Sequence, residues 1–270
     1  AAIPFRVISA MSDSPDSFDP QGTHKPGVAD SIDAMQAMKA PFQSDDWFVN
    51  LMLGLVCMII PVVGPIVFLG YEMELIEGWL KQPGKPYPRL DFGRFTDYLK
   101  RGVWPFLAML IGNLVALPLT MVIMIPFFCL FFGSSGFMGD DDTAILVVAC
   151  MLSSFLIFFL GIIVVNVVSA CIFTPMVLAA GLSGEIGPAL DFGFIKDFLS
   201  RTWKDLCKAY LFVVVAGTFL SLLGYCMFII GFYVVLAYLS MVSAHLLYQA
   251  YALYLARGGK PIQPKPEMAA

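Results

Sequence analysis

Leu90-Asp91-Phe92-Gly93 returns as Leu190-Asp191-Phe192-Gly193, and the register continues through Asp97/Asp197, Leu99/Leu199 and Arg101/Arg201. Each copy closes on a tryptophan, Val103-Trp104 in the first and Thr202-Trp203 in the second, and each then opens into a long apolar run. The repeating unit is a short amphipathic piece leading into membrane-spanning helices. A degenerate third copy, Ser31-Ile32-Asp33-Ala34-Met35-Gln36-Ala37-Met38-Lys39, places Ile32, Met35 and Met38 at helical spacing and reaches Trp47 just before the first apolar run.

The chain has 270 residues, 59% hydrophobic and 13% charged, where a soluble domain has roughly 45–50% and about 25%. That balance argues against a water-soluble fold. A net charge of -4 implies no particular partner, but the 16 basic residues are unevenly spread. Thirteen of them gather at Lys81, Lys85, Arg89, Arg94, Lys100 and Arg101; at Lys196, Arg201, Lys204 and Lys208; and at Arg257, Lys260 and Lys265, and the other three lie in the amino-terminal part.

Four apolar blocks follow. Residues 47–80 are uncharged until Glu72, Glu74 and Glu77 and are interrupted by Ile60-Pro61-Val62-Val63-Gly64-Pro65. Residues 103–132 and 144–182 are separated by Gly133-Ser134-Ser135-Gly136 and the triplet Asp140-Asp141-Asp142. Residues 205–256 hold two spans of about 20 residues each, with a break near Gly224-Tyr225. The fold class is all-α: a polytopic integral membrane protein of about six helices in pseudo-repeated hairpins, each preceded by an amphipathic interfacial helix. The count is six if 47–80 turns back at the proline-glycine segment, as the third repeat favours. It is five, with an external amino terminus, if 47–80 is one kinked helix.

The expected organisation is a polar, acidic, proline-rich tail over 1–30, a helical membrane domain over 31–258 with repeats at 31–80, 90–182 and 190–257, and a second tail over 259–270. Short loops rich in Lys and Arg stay cytoplasmic, so both Leu-Asp-Phe-Gly elements and the carboxyl terminus are assigned to the cytoplasmic side.

Two sets of residues stand out. Asp91 and Asp191 suit helix caps, with Phe92, Phe192, Tyr98, Phe198, Trp104 and Trp203 as aromatic anchors at headgroup level; alternatively, Asp91, Phe92, Trp104, Asp191, Phe192 and Trp203 form a pseudo-symmetric platform for a partner. Inside the spans the polar residues are Asn50, Asn113, Asn166 and the pair His245 and Gln249, one turn apart. Their default role is interhelical hydrogen bonding. Glu72, Glu74 and Glu77 read as a solvated helix end, with Glu74 placed to neutralise a Lys or Arg.

No reaction is specified. Gln82-Pro83-Gly84-Lys85-Pro86 and Gly258-Gly259-Lys260-Pro261 lack phosphate-loop spacing and read as helix terminators. Six scattered cysteines and two histidines, His24 and His245, offer no metal, redox or haem spacing. The expectation is a non-enzymatic chain without catalytic, cofactor or metal residues, whose partners are the lipid bilayer and other membrane subunits rather than nucleic acid.

Phe42-Gln43-Ser44-Asp45-Asp46-Trp47, Ile60-Pro61-Val62-Val63-Gly64-Pro65, Gly70-Tyr71-Glu72, Leu90-Asp91-Phe92 and Asp97-Tyr98-Leu99-Lys100-Arg101-Gly102 resemble a prokaryotic multi-pass membrane family known only as a domain of unknown function, over roughly residues 31–210. The resemblance implies a bacterial or archaeal cytoplasmic membrane and brings no catalytic residue or ligand. Two functions are weighed. An accessory or scaffold subunit of a larger membrane assembly fits the tails and the duplicated interfacial elements. A transporter or channel for a small or lipid-like solute fits the prolines at 61, 65, 118, 126 and 175, but both repeats begin on the basic side, unlike inverted repeats.

Overall fold

Asp33 opens the first helix of the described residues, its carboxylate accepting the Gln36 amide at 2.9 Å as an N-cap. The structure, a computed structural model, describes residues 31–84, 86–135 and 141–263. Residues 1–30, Lys85, residues 136–140 with Asp140, and residues 264–270, on which the expected tails and part of the acidic triplet fall, lie outside the described residues.

Helix α1 (Ala34–Lys39) runs into a 3-10 turn at Ala40–Gln43. Ile32 and Met38 pack on the core while Met35 is exposed, so the amphipathic face is narrower than its three-residue spacing suggests. Helices α2 (Trp47–Ile59) and α3 (Val63–Lys81) then form a hairpin rather than one kinked helix. Pro61 cannot supply a helical donor, and the chain reverses at Val62, whose φ is 65°.

Helix α4 (Phe95–Ser135), introduced by a 3-10 turn at Phe92–Arg94, pairs with α5 (Asp141–Ser183); α6 (Phe192–Cys226), introduced by a 3-10 turn at Gly187–Leu190, pairs with α7 (Phe228–Ala256). These four helices are each long and apolar enough to cross a membrane. Pro105, Pro118, Pro126 and Pro175 sit inside α4 and α5 without ending them, as neighbouring helices allow in apolar surroundings.

Helix α3 is the centre of the packing. Phe68, Tyr71, Met73, Leu75, Ile76 and Trp79 cover more than half of its circumference and all are buried, against α4 on one side and α2 and α7 on the other. The crossing with α4 is backbone on backbone: a Cβ on Gly70 would sit 1.9 Å from the Tyr98 carbonyl oxygen. The far halves of α4 and α5 differ, exposing Leu114, Val115, Val122, Leu152 and Ile157 outward. The most apolar stretch of α4 has no buried residue at all.

Two expectations are corrected. Tyr98 and Phe198 are not headgroup anchors but core residues, 2% and 0% exposed. Helical phase turns Tyr98 onto Tyr71 and Phe198 onto Tyr254, with ring centroids 5.8 and 4.8 Å apart. The three glutamates are not a uniform solvated end. Glu74 takes both guanidinium nitrogens of Arg94 at 2.7 and 2.8 Å, and Glu77 pairs with Lys81 and Arg101. Glu72 lies on the α3 face of Phe68, Ile76 and Trp79 and is buried with them.

Candidate functional site

Asn113 and Asn166 come together. They line one open groove of about 240 Å³ between α4 and α5, with Thr120, Ser169 and Phe173 among its other walls. The helices approach closely beside it because Gly112 leaves room for the Phe173 ring: a Cβ there would lie 2.5 Å from the ring edge. Asn113 Nδ2 donates to the Met109 carbonyl at 2.8 Å, and Asn166 Nδ2 to the Ile162 carbonyl at 2.9 Å. Among the described residues both amides therefore bond only their own helix, and both are exposed. Each amide has a second N–H and a carbonyl oxygen beyond the bond to its own helix.

The other amide of the apolar runs does a different job. Asn50 is 0% exposed. Its Oδ1 accepts the Leu90 amide at 2.8 Å, and its Nδ2 donates to the Pro88 carbonyl at 3.2 Å. Tyr71 donates to that same carbonyl at 2.7 Å, and Ser44 Oγ donates to the Tyr87 carbonyl at 3.0 Å. The connection between α3 and α4 is thus held down onto the α2–α3 hairpin. Tyr87 itself is inserted beneath it, its ring 4.8 Å from Trp79, and burial raises its phenol above the usual range, so it stays a neutral donor.

His245 and Gln249 also hold structure. Gln249 Oε1 accepts the Asp33 amide at 2.7 Å, its Nε2 donates to the Asp33 carbonyl at 3.2 Å, and the same Nε2 lies 2.9 Å from His245 Nδ1. Together with Tyr238 donating to the Met38 carbonyl at 2.7 Å, they dock α1 along α7.

The repeated elements are alike at the cap and diverge after it. Asp91 Oδ1 accepts the Gly93 amide at 2.8 Å, and Asp191 Oδ1 accepts the amides of Gly193 and Phe194 at 2.8 and 3.3 Å. Phe92, Trp104, Phe192 and Trp203 are all exposed, Phe192 at 82%. Beyond the cap, Arg94 and Arg101 turn to α3, whereas Arg201 turns to α7, donating to the Arg257 carbonyl while Arg257 donates back to that of Arg201. The opening of the second tail follows the same path: Lys260 and Ile262 give their amides to the hydroxyls of Tyr254 and Tyr251 at 3.0 and 2.8 Å.

The sequence reading groups Glu72 with Glu74 and Glu77 as a solvated helix end, and the structure separates it from them. Ser240 Oγ of α7 donates to its Oε1 inside the core. Its position four before Ile76 and four after Phe68, off the phase of Glu74 and Glu77, was the signal. Cys171 and Cys207 also meet, their sulfurs 3.6 Å apart. Among the described residues, no group of three or more His, Cys, Asp or Glu side chains could hold a metal.

The family model described as "Protein of unknown function (DUF4013)" matches residues 53–229, from the middle of α2 to the start of α7. No curated protein and no solved structure matches the chain. With about two thirds of its length under that model, the chain is a multi-helix member of the DUF4013 family.

Proposed function

We propose that this protein is a non-enzymatic accessory or scaffold subunit of a larger membrane assembly, and that a partner's membrane helix seats over the α4–α5 groove. The observation that carries this reading is the pair Asn113 and Asn166, two exposed amides in apolar helices that among the described residues bond nothing beyond their own helix. In hydrocarbon such a group gains from a partner side chain, and asparagine between helices contributes about 0.6–2 kcal/mol. Asn50, His245, Gln249 and Glu72 are by contrast engaged in holding the fold. The apolar outer halves of α4 and α5 provide the flanking contact area.

In this reading residues 31–258 form one membrane domain whose repeats share an orientation. The basic side, both Leu-Asp-Phe-Gly elements and the carboxyl terminus face the cytoplasm of a prokaryotic cell. Exposed Phe92, Trp104, Phe192 and Trp203 and the two tails offer further contact points.

The test is mild-detergent extraction at native level, native sizing, and mass spectrometry of whatever travels with the chain. A stoichiometric complex is expected, and Asn113→Leu with Asn166→Leu should release the partner while leaving thermal stability unchanged. A lone monomer overturns the reading. The second reading, passage of a small or lipid-like solute, is favoured by the room in the same polar groove, about 240 Å³. The double variant would then abolish solute uptake with no complex to lose.

A further inference from the structure

Helix α2 has 13 residues, about 20 Å at 1.5 Å per residue, against a hydrocarbon core of about 30 Å. It is too short to cross. Its partner α3 carries Glu72, Glu74, Glu77 and Lys81 in its second half, so the uncharged length of the hairpin is its tip. Both ends of the hairpin lie at one basic connection: α3 runs directly into it after Lys81, Ser44 and Asn50 at the α2 end bond it at Tyr87–Leu90, and Tyr71, midway along α3, bonds it at Pro88.

The tip has unusual chemistry for a turn. Turns in water favour Gly, Asn, Asp and Ser, yet here Ile59, Ile60, Val62 and Val63 are apolar and exposed, between 40% and 60%. Its backbone is nonetheless nearly self-sufficient. Pro61 and Pro65 have no N–H to satisfy, Val63 donates to the Pro61 carbonyl at 2.7 Å, Gly64 to Ile60 at 3.2 Å and Ile66 to Val62 at 3.3 Å. The Val63 bond closes a γ-turn on Val62, a conformation a β-branched residue enters only at a cost. Water would make such closure unnecessary; hydrocarbon requires it, since no solvent is there to take an open N–H or C=O. Gly64 completes the device, for a Cβ there would fall 1.7 Å from the Cys57 carbonyl and prise the hairpin open.

We infer that α2 and α3 form a re-entrant hairpin that dips into the bilayer from the basic side and returns to it, and that the surface at Ile60–Val63 is a docking surface for lipid acyl chains. The described residues then hold four crossing helices, and the proline-glycine segment is a turn adapted to stay in hydrocarbon.

The test uses the full chain in sealed native vesicles of both orientations, with Val62→Cys and, in case that change disturbs the turn, Ile60→Cys. A membrane-impermeant maleimide is applied and the tip peptide is read by mass spectrometry, with Lys81→Cys as the water-exposed control. The expected result is loss of tip labelling from both sides, full labelling after denaturation, and labelling of the control from one side only. Labelling of the tip from the far side means the hairpin spans, and labelling from the control's side means it lies in water; either overturns the inference. A photoreactive residue at position 60 separates lipid from protein cover: adducts of lipid mass are expected, and a cross-link to protein would sink the proposal.

Discussion

Gly70 and Gly102 meet backbone to backbone where α3 crosses α4: a Cβ on Gly70 would lie 1.9 Å from the Tyr98 carbonyl oxygen, and one on Gly102 would lie 1.8 Å from that of Ile66. Neither neighbour is a side chain that could swing away. Gly70→Ala or Gly102→Ala must separate the two helices through which Tyr71 and Tyr98 pack, and should cost about 3 kcal/mol or more, in the range of the severest single-site losses. Gly78, with nothing within 4 Å of its own notional Cβ, is the control; there alanine should stabilise by about 0.5–1 kcal/mol. Thermal unfolding of the purified variants in detergent decides it, and equal melting of the three would refute the crossing.

The clamp at Asn50 predicts a different signature. Asn50→Leu fills the same space but strands the buried Leu90 amide, at about 1–3 kcal/mol, and frees the α3–α4 connection from the hairpin. Trypsin should then cut after Arg89 faster than in the parent chain while the ends of α4 to α7 stay resistant. Asn113→Leu, at an exposed amide bonded only to its own helix, should leave both stability and cleavage unchanged. Matching effects for the two asparagines would remove the distinction between clamp and groove.

Caps at the repeated aspartates are alike in kind and unequal in number of bonds. Loss of an aspartate cap costs typically about 1 kcal/mol. Asp191→Ala breaks two backbone contacts and Asp91→Ala one, so the second repeat should lose more. Melting temperatures of the two single variants give the order, and a larger loss at Asp91 would contradict the geometry.

Much of this architecture is legible in the chain and some is not, for physical reasons. Apolar runs bounded by basic loops announce α4 to α7, since hydrophobic length is a property of the sequence alone. The aspartate caps are legible too, being contacts over two or three residues. Tyr98 and Phe198 mislead, because an aromatic near a basic patch suits a headgroup and a core equally until the partner helix is placed. Glu72 is hidden for the same reason: Ser240, which donates a hydrogen bond to it, is 168 residues away. Asn113 and Asn166 can be read as intramembrane amides, but their shared groove exists only once α4 and α5 are side by side.

The buried pair Glu72 and Ser240 yields the remaining prediction. The Glu72 carboxyl lies buried on the helix face that it shares with Phe68, Ile76 and Trp79, and among the described residues it hydrogen-bonds Ser240; a neutral amide of the same shape is no costlier to bury there. Glu72→Gln keeps the shape and an acceptor oxygen for Ser240, so stability should stay level or rise. Ser240→Ala leaves the carboxyl without its donor and should cost about 1–3 kcal/mol. The two changes should therefore couple: in a double-mutant cycle the serine loss should be smaller once position 72 is an amide, by about 0.5–3 kcal/mol. Simple additivity would mean that the hydroxyl is not what holds the carboxyl, and that α3 and α7 are joined there by packing alone.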